Sequence, residues 1–257
     1  MAEQPHIELK NVELAYGSFV VMRDITAQVK RGEIFVIMGG SGCGKSTLLW
    51  NMIGLRTPPK GDILYDGRSF LKADDTERVT MEKKFGVLFQ SGALWSSMTL
   101  IENISLPMTE HSEMPADEIG RLARFKLALV GLKGFEDFYP SEISGGMMKR
   151  AGLARAMALD PEILFFDEPS AGLDPITSRR LDELIMQLRD NLGTTVVMVT
   201  HELDSIFAVA DNAIFLDNVS RTVTASGPPK TMIRNSDDSA VRAFLTRGGK
   251  KNLEYAS

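Results

Sequence analysis

Nine consecutive residues, 39–47, have the composition of a loop that binds phosphate groups. They fit the pattern G-x-x-x-x-G-K-[ST]. Glycines let a backbone wrap tightly, so that successive N–H groups point inward at an anion. Lys45 supplies a mobile positive charge for phosphates, and the Ser46 hydroxyl can bind Mg²⁺. The candidate ligands in this segment, called the P-loop below, are Gly39, Gly40, Ser41, Gly42, Cys43, Gly44, Lys45, Ser46 and Thr47.

The segments on both sides of the P-loop support this interpretation. An apolar run at residues 34–38 predicts a buried strand, and residues 48–53 predict the start of a helix. The positive end of that helix adds to the attraction for an anion. The alternative is a glycine-rich turn that binds nothing. The order strand, glycine loop, helix favours phosphate binding.

Two adjacent acids, Asp167 and Glu168, follow the apolar run at residues 163–166. A buried strand that ends in carboxylates places them at the edge of a sheet where α/β proteins bind ligands. There Asp167 can hold Mg²⁺ through water, and Glu168 can orient or deprotonate an attacking water. The alternative is a strand that ends at a polar turn, which the upstream P-loop disfavours.

Other candidate site residues also lie at predicted strand ends. Gln90 follows a strand at residues 85–89, and either reaches a metal or water or caps a turn. His201 follows a strand at residues 195–200 and is placed to sense a terminal phosphate. Tyr16 lies beside a turn glycine, and either stacks on an adenine ring or packs in its sheet. We expect no role for His6, in a loose N-terminus, or for His111, in a polar loop.

The remaining pattern predicts an antiparallel sheet over residues 7–36 and a helical insertion over residues 91–160. Prolines 107, 115 and 140 separate the predicted helices of this insertion. Residues 177–192 predict an amphipathic helix whose solvated face includes Asp182. The chain then predicts a hairpin around residues 217–218. Two short helices and a frayed basic tail follow residue 227.

Composition limits the functional classes. The 257 residues include 44% hydrophobic and 25% charged residues, as in ordinary globular proteins. The net charge of -5 gives no case for a nucleic-acid partner. No apolar run approaches the ~20 residues that span a bilayer, and residues 1–6 do not resemble a signal peptide. The single cysteine, Cys43, is consistent with a reducing cytoplasm. It lies inside the P-loop, so we expect bulky thiol reagents to react with it unless a bound ligand protects it.

A second glycine motif makes the pattern specific. Residues 143–147, Ile-Ser-Gly-Gly-Met, open a predicted helix, and Ser144, Gly145 and Gly146 form a further candidate anion site. This segment, called the signature below, resembles the LSGGQ signature of ATP-binding-cassette (ABC) ATPases. Ile143 and Met147 depart from the commoner Leu and Gln. The resemblance covers residues 5–227, with the other family motifs in the expected order.

The resemblance implies an α/β fold with the P-loop NTPase (RecA-like) core, an antiparallel β-subdomain and an inserted helical subdomain. The expected ATPase domain is residues 1–227, with the core at 1–90 and 161–227, the helical subdomain at 91–160 and a tail at 228–257. Tyr16 is similar to the A-loop aromatic, Gln90 to the Q-loop glutamine and His201 to the H-loop switch. The implied ligands are ATP and Mg²⁺, the latter held by Ser46, Gln90 and Asp167. Lys45, Gln90, Glu168 and His201 are the implied catalytic group.

Residues 87–94, 110–115, 144–147, 174–177 and 241–245 look like the ATPase of Mla/Mce-type lipid-trafficking transporters. That subfamily implies a homodimer below an integral membrane permease, at the cytoplasmic face of the bacterial inner membrane. It also implies a periplasmic Mce-domain protein and phospholipid or another hydrophobic cargo. The tail packs on its own core, or instead contacts the dimer partner or a small regulatory subunit. Leu94, Trp95 and Met98 either contact the permease or belong to the helical core.

Several alternatives stay open. Another cargo, such as amino acids, metals or lipoproteins, keeps the transporter class. A non-transport ABC ATPase is disfavoured, because the chain has neither long coiled coils nor a second cassette. A scaffold without hydrolysis is disfavoured, because Lys45, Asp167, Glu168 and His201 are all present.

Overall fold

The computed structural model describes residues 4–246. Two sheets and the α-helices around them form the fold. The strands are β1 (Ile7–Tyr16), β2 (Phe19–Val29), β3 (Ile34–Gly39), β4 (Lys60–Tyr65), β5 (Arg68–Ser69), β6 (Phe85–Leu88), β7 (Ile163–Asp167), β8 (Thr195–Val199), β9 (Asn212–Asp217) and β10 (Thr222–Gly227). The helices are α1 (Lys45–Met52), α2 (Asp75–Glu82), α3 (Leu100–His111), α4 (Ala116–Leu129), α5 (Gly145–Ala156), α6 (Pro175–Leu192), α7 (Leu203–Val209), α8 (Pro229–Asn235) and α9 (Ser239–Leu245).

The larger sheet has the strand order β10-β9-β3-β8-β7-β6. All of its strands are parallel except β10, which pairs antiparallel with β9. Every residue of β3, β7 and β8 is buried, because hydrophobic clusters cover both faces of the sheet. The P-loop follows β3, Asp167 ends β7 with Glu168 directly after it, and His201 and Gln90 follow β8 and β6. Parallel strands therefore bring all four predicted segments to one edge.

The smaller sheet is antiparallel, in the order β2-β1-β4-β5. The antiparallel sheet predicted to lead into the P-loop strand is confirmed, because β1 and β2 belong to it and β3, the P-loop strand, belongs to the larger sheet. β1 ends at Tyr16, which this sheet carries to the side of α1. The smaller sheet and α1 share one hydrophobic cluster with one face of the larger sheet. The two sheets therefore hold Tyr16 and the P-loop in one body.

Helices α3, α4 and α5 lie between β6 and β7 in the chain, where the sequence predicts a helical insertion. The prediction that Pro107 separates helices is wrong, because α3 continues through Pro107 to His111. A capping box at Thr99 and buried apolar residues on one face of α3 stabilise the helix despite the missing proline N–H. His111 is therefore helical rather than part of a polar loop. The proposed domain boundaries stay predictions.

Two polar residues are buried against expectation. His6 is buried rather than in a loose terminus, and its Nδ1 lies 2.7 Å from Thr195 Oγ1. Asp182 is only 5% exposed and accepts a hydrogen bond of 2.8 Å from Ser205 Oγ on α7. The predicted solvated position of Asp182 is wrong because α7 packs on that side of α6. A charge pattern within α6 contains no information about this neighbour.

The described part of the tail packs on the body of its own chain. Val241 and Leu245 of α9 are fully buried, and the Phe244 ring meets Phe215 edge-on, with centroids 5.3 Å apart. The two predicted tail helices are confirmed up to residue 246, and the predicted frayed basic end lies outside the described residues. Within residues 4–246, no helix combines the length and the hydropathy that a bilayer span requires.

Candidate functional site

The P-loop wraps around the ammonium group of Lys45. Lys45 Nζ donates to the carbonyls of Gly39 and Gly40, at 3.0 and 2.9 Å. Gly39 has φ +150°, and a Cβ there would lie 2.7 Å from Cys43 Sγ and also clash with the Leu216 carbonyl. Gly44 is the N-cap of α1 with φ +91° and provides no capping side chain. The first N–H groups of α1 are thus left for an anion.

Ser46 and Asp167 form a pair of oxygen donors beside this loop. Ser46 Oγ donates to Asp167 Oδ1 at 2.8 Å. Adjacent ligands of an octahedral ion with Mg²⁺–O bonds of about 2.0–2.1 Å lie about 2.9 Å apart. A hydroxyl and a carboxylate are also the hard donors that Mg²⁺ prefers. The two side chains therefore fit an Mg²⁺ site in both chemistry and spacing.

Glu168 has an unusual backbone and a partly free carboxylate. Its φ is +50°, and its N–H donates to Val199 O at 2.9 Å. Glu168 Oε1 lies 2.8 Å from His201 Nδ1. Glu168 Oε2 is buried and has no hydrogen-bond partner among the described residues. One oxygen of this acid is thus oriented by His201, and the other is available to a water molecule.

These groups line one cavity of about 900 Å³, called the P-loop cavity below. Parallel β3, β8 and β7 bring its polar groups together from distant parts of the sequence. Asp167 is not among the lining residues but touches Ser46, which is. The predicted site residues that line the cavity are Tyr16, Gly39, Gly40, Ser41, Gly42, Gly44, Lys45, Ser46, Thr47, Gln90, Glu168 and His201.

Tyr16 lies at the rim of this cavity with 43% of its surface exposed. Its hydroxyl is 2.9 Å from Thr47 Oγ1, and the Arg56 guanidinium lies 4.3 Å from its ring centroid. Arg56 is not among the residues that line the cavity. The tethered, exposed ring favours a stacking role over simple packing, which the sequence leaves undecided.

Cys43 differs from the rest of the loop. Its side chain is buried, with 1% exposed, and burial raises the pKa of the thiol. Thiolate is the reactive form of cysteine. The expectation that thiol reagents readily reach Cys43 therefore conflicts with the structure.

The signature opens on a different cavity of about 350 Å³, bordered by Leu173 and Thr177. Ser144 is the N-cap of α5 and accepts a hydrogen bond from the Met147 N–H. Gly145 and Gly146 line this second cavity, which shares no lining residue with the P-loop cavity. Within one chain, the P-loop cavity is thus not lined by Ser144, Gly145 or Gly146.

Gln90 is exposed in the turn after β6 and faces the P-loop cavity. Nearby, Trp95 is 58% exposed, whereas Leu94 and Met98 are half-buried. Leu94 packs against the hydrophobic core. Of the three apolar candidates for a docking contact, Trp95 therefore has the most free surface.

Three residues near the site escape the sequence argument. Arg56 covers Tyr16, Lys149 on α5 donates to the Glu168 carbonyl at 3.1 Å, and Phe244 of the tail lines the P-loop cavity. Arg56 and Lys149 belong to no recognised motif, and the tail segment that contains Phe244 implied no role for it at the site. No signal in the sequence singles out Lys149, because its burial is visible only in the structure.

Comparisons with known proteins agree with this geometry. The ABC transporter family matches residues 22–171. The chain is 41% identical over 239 residues to "Probable ribonucleotide transport ATP-binding protein mkl" of Mycobacterium leprae, covering 93% of this chain and 68% of that protein. It thus spans about two thirds of the mycobacterial relatives.

It is also 39% identical over 239 residues to "Intermembrane phospholipid transport system ATP-binding protein MlaF" of Escherichia coli K12, covering 93% of this chain and 88% of that protein. A dimeric structure of MJ0796, a bacterial ABC transporter cassette, superposes with a TM-score of 0.79 at 30% identity, covering 86% of this chain and 98% of that one. The chain belongs to the ABC transporter family, as an ATP-binding subunit with the ABC ATPase fold and ATPase activity.

Proposed function

We propose that this chain powers a bacterial inner-membrane transporter that moves phospholipid or another hydrophobic molecule between the inner and outer membranes. The observation that carries the cargo class is the match to MlaF, at 39% identity over 88% of that protein. The mycobacterial relative has a slightly higher identity, but its name specifies ribonucleotide transport and it extends well beyond this chain. Ribonucleotide is therefore the second candidate cargo.

The active form is a homodimer with two composite sites. The P-loop and the signature of one chain line separate cavities, so one chain provides half of each site. The dimeric structure of the similar cassette supports this arrangement. Ser144, Gly145 and Gly146 of one subunit then cover the ATP that the other subunit's P-loop holds. A γ-phosphate that bridges the two subunits makes closure of the dimer depend on ATP. Hydrolysis removes this bridge, and the dimer opens.

Phosphate binding uses groups that already face the cavity. Lys45 exchanges its carbonyl partners for β- and γ-phosphate oxygens, and α1 contributes its N-terminal N–H groups. Ser46, Asp167 and Gln90 are the residues that hold Mg²⁺, directly or through water. When bound, Mg²⁺ neutralises negative charge on the phosphates. Tyr16 stacks on the adenine ring.

Hydrolysis depends on Glu168 and His201. Glu168 Oε2 has no partner among the described residues, so it accepts a hydrogen bond from the attacking water and then its proton. His201 holds Oε1 at 2.8 Å and turns to the γ-phosphate when ATP is present. Glu168 is thus the general base. His201 holds it in the absence of ATP and contacts the γ-phosphate once ATP is bound.

The remaining partners follow from the subfamily. An integral membrane permease holds the subunit at the cytoplasmic face of the inner membrane. A periplasmic Mce-domain protein receives or delivers the cargo. The exposed Trp95 is the foremost candidate for the permease contact. A small regulatory subunit is a further candidate partner, and no feature of the chain suggests nucleic acid.

The Glu168→Gln variant tests the mechanism. We expect turnover to fall about 100-fold or more, because general-base catalysis contributes about 10²–10⁴-fold, while ATP binding persists and a dimer accumulates. Glu183→Gln is the matched control, because Glu183 is exposed on α6. Hydrolysis by Glu168→Gln at the parental rate would rule out Glu168 as the base.

Copurification tests the cargo. The intact complex is purified with its permease, and bound molecules are identified by mass spectrometry. Enriched phospholipid supports the proposal. Enriched ribonucleotide without lipid selects the second candidate.

A further inference from the structure

A buried lysine connects the signature helix to the proposed base. Lys149 is 6% exposed on α5, and its Nζ donates to the Glu168 carbonyl at 3.1 Å. Within residues 4–246, this is the only hydrogen bond of the Lys149 ammonium group. Burial lowers the pKa of Lys149, and the nearby Glu168 partly offsets this effect. A buried ammonium with so few partners is costly, so its position calls for an explanation.

Glu168 requires such support because of its backbone. A φ of +50° is uncommon for a residue with a side chain, and it persists only where the surroundings hold it. The Glu168 carbonyl accepts from the Ala171 N–H at 3.2 Å, within its own turn. Lys149 provides the second donor to this carbonyl. Because Lys149 lies on α5, this hydrogen bond links the backbone conformation of Glu168 to the position of that helix.

Helix α5 is also joined closely to the turn after β6. Arg155 donates to Ala93 O at 2.6 Å and to Gly92 O at 3.3 Å. Gly152 permits this approach, because a Cβ there would lie 2.8 Å from Leu88 Cδ1. With Ser144 at its N-terminus, α5 therefore contacts the signature, the Glu168 carbonyl and the segment after Gln90. A shift of the helix is transmitted to all three.

We propose that Lys149 is a positioning residue that couples the two nucleotide sites of the dimer. This rests on the composite site proposed above. The signature of one subunit binds the γ-phosphate held by its partner, so that phosphate sets the position of α5. Lys149 then passes the position to Glu168 of its own subunit, which serves the other ATP. Occupancy of one site thereby aligns the base in the second.

The test compares Lys149→Met and Lys149→Arg in the full chain. Lys149→Met removes the donor and keeps much of the length, whereas Lys149→Arg keeps a donor. We expect Lys149→Met to lower kcat about tenfold or more, because small misplacements of catalytic groups cost up to about 10²-fold. ATP affinity and ATP-dependent dimerisation stay near parental values. The Hill coefficient for ATP falls towards 1, and Lys149→Arg restores much of both losses.

Lys126→Met is the matched control. Lys126 is also buried in the helical insertion, but it pairs with Asp160, away from the P-loop cavity. We expect it to lower the melting temperature without the loss of kcat. Lys149→Leu, which also lacks a donor, repeats the test if Lys149→Met folds poorly.

Three results would overturn the proposal. One is that Lys149→Met or Lys149→Leu keeps the kcat and the Hill coefficient of the parent protein. The second is a loss of kcat that Lys126→Met reproduces, which would indicate destabilisation alone. The third is a Hill coefficient of 1 for the parent protein itself, which would refute the coupling between sites. Glu168→Gln, measured alongside, separates these outcomes from failure of the general-base mechanism, which it tests independently of Lys149.

Discussion

Asp182 should make the stability of this protein depend on pH in an unusual direction. Burial raises the pKa of Asp182 from 3.8 to about 6, and the charges of Asp204 and Glu183 add to the effect. The hydrogen bond from Ser205 acts in the opposite sense. Asp182 Oδ1 is buried without a partner among the described residues. Replacing Asp182 with Asn removes the buried charge and keeps an acceptor for Ser205.

The sign follows from the protons that each state binds. Between about pH 4 and 6, the folded chain keeps the Asp182 proton and the unfolded chain has lost it, so stability falls as pH rises. The full cost above pH 6 is about 3 kcal/mol, for a pKa shift of about 2 units at 1.36 kcal/mol each. Between pH 4.5 and 7.5 this contribution changes by about 2 kcal/mol. The stability of Asp182→Asn relative to the parent should rise by this amount over the same interval.

Urea unfolding of both proteins at pH 4.5, 6 and 7.5 measures this difference. Taking the difference between the two proteins cancels every other titrating group that they share. Glu183→Gln is the control, because it removes the same charge at the next, exposed position and should change stability by less than about 0.5 kcal/mol. A stability difference between Asp182→Asn and the parent that stays constant from pH 4.5 to 7.5 would refute the reasoning.

Two further predictions concern the P-loop cysteine and the Tyr16 ring. Cys43 should react with a maleimide at least about tenfold more slowly in the folded protein than in urea, because burial keeps its thiol protonated and covered; timed labelling followed by mass spectrometry checks this, and equal rates would contradict it. Arg56→Ala should weaken ATP binding about two- to fivefold, because an exposed cation–π contact is worth about 0.5–1 kcal/mol and here helps hold the Tyr16 ring. Tripolyphosphate, which has no base, should bind this variant as it binds the parent; equal losses for both ligands would show that Arg56 acts elsewhere.

The sequence predicts the centre of the site well because that centre is built from local motifs. Gly39, Gly42 and Gly44 adopt positive φ angles, and a Cβ at Gly39 would clash with the Leu216 carbonyl. The acids, Gln90 and His201 follow continuous apolar runs, and such runs pair as parallel strands whose carboxyl ends meet. Strand type and strand end are both encoded within a few residues. Their meeting point is therefore predictable without knowledge of any other contact.

The predictions from the sequence fail where a neighbouring helix or strand determines whether a residue is buried or helical. Asp182 lies on a helix with the charge pattern of a solvated face, yet α7 covers it. Pro107 would end an isolated helix, but capping and burial hold α3 together through it. His6 is buried by its contact with Thr195, which is 189 residues away. Periodicity describes one element at a time, so it does not specify which neighbour covers a given face.

The sequence by itself determined the P-loop, the acidic strand end, the signature and their assignment to one family, because each motif is a run of adjacent residues. Only the tertiary structure decided that Arg56 lies over Tyr16 and that Lys149 holds the Glu168 carbonyl. It also showed that the P-loop and the signature open on separate cavities. These features depend on the packing of elements that are distant in the chain, and packing is set jointly by all the surfaces that meet. The proposed coupling of two ATP sites rests on this second kind of information.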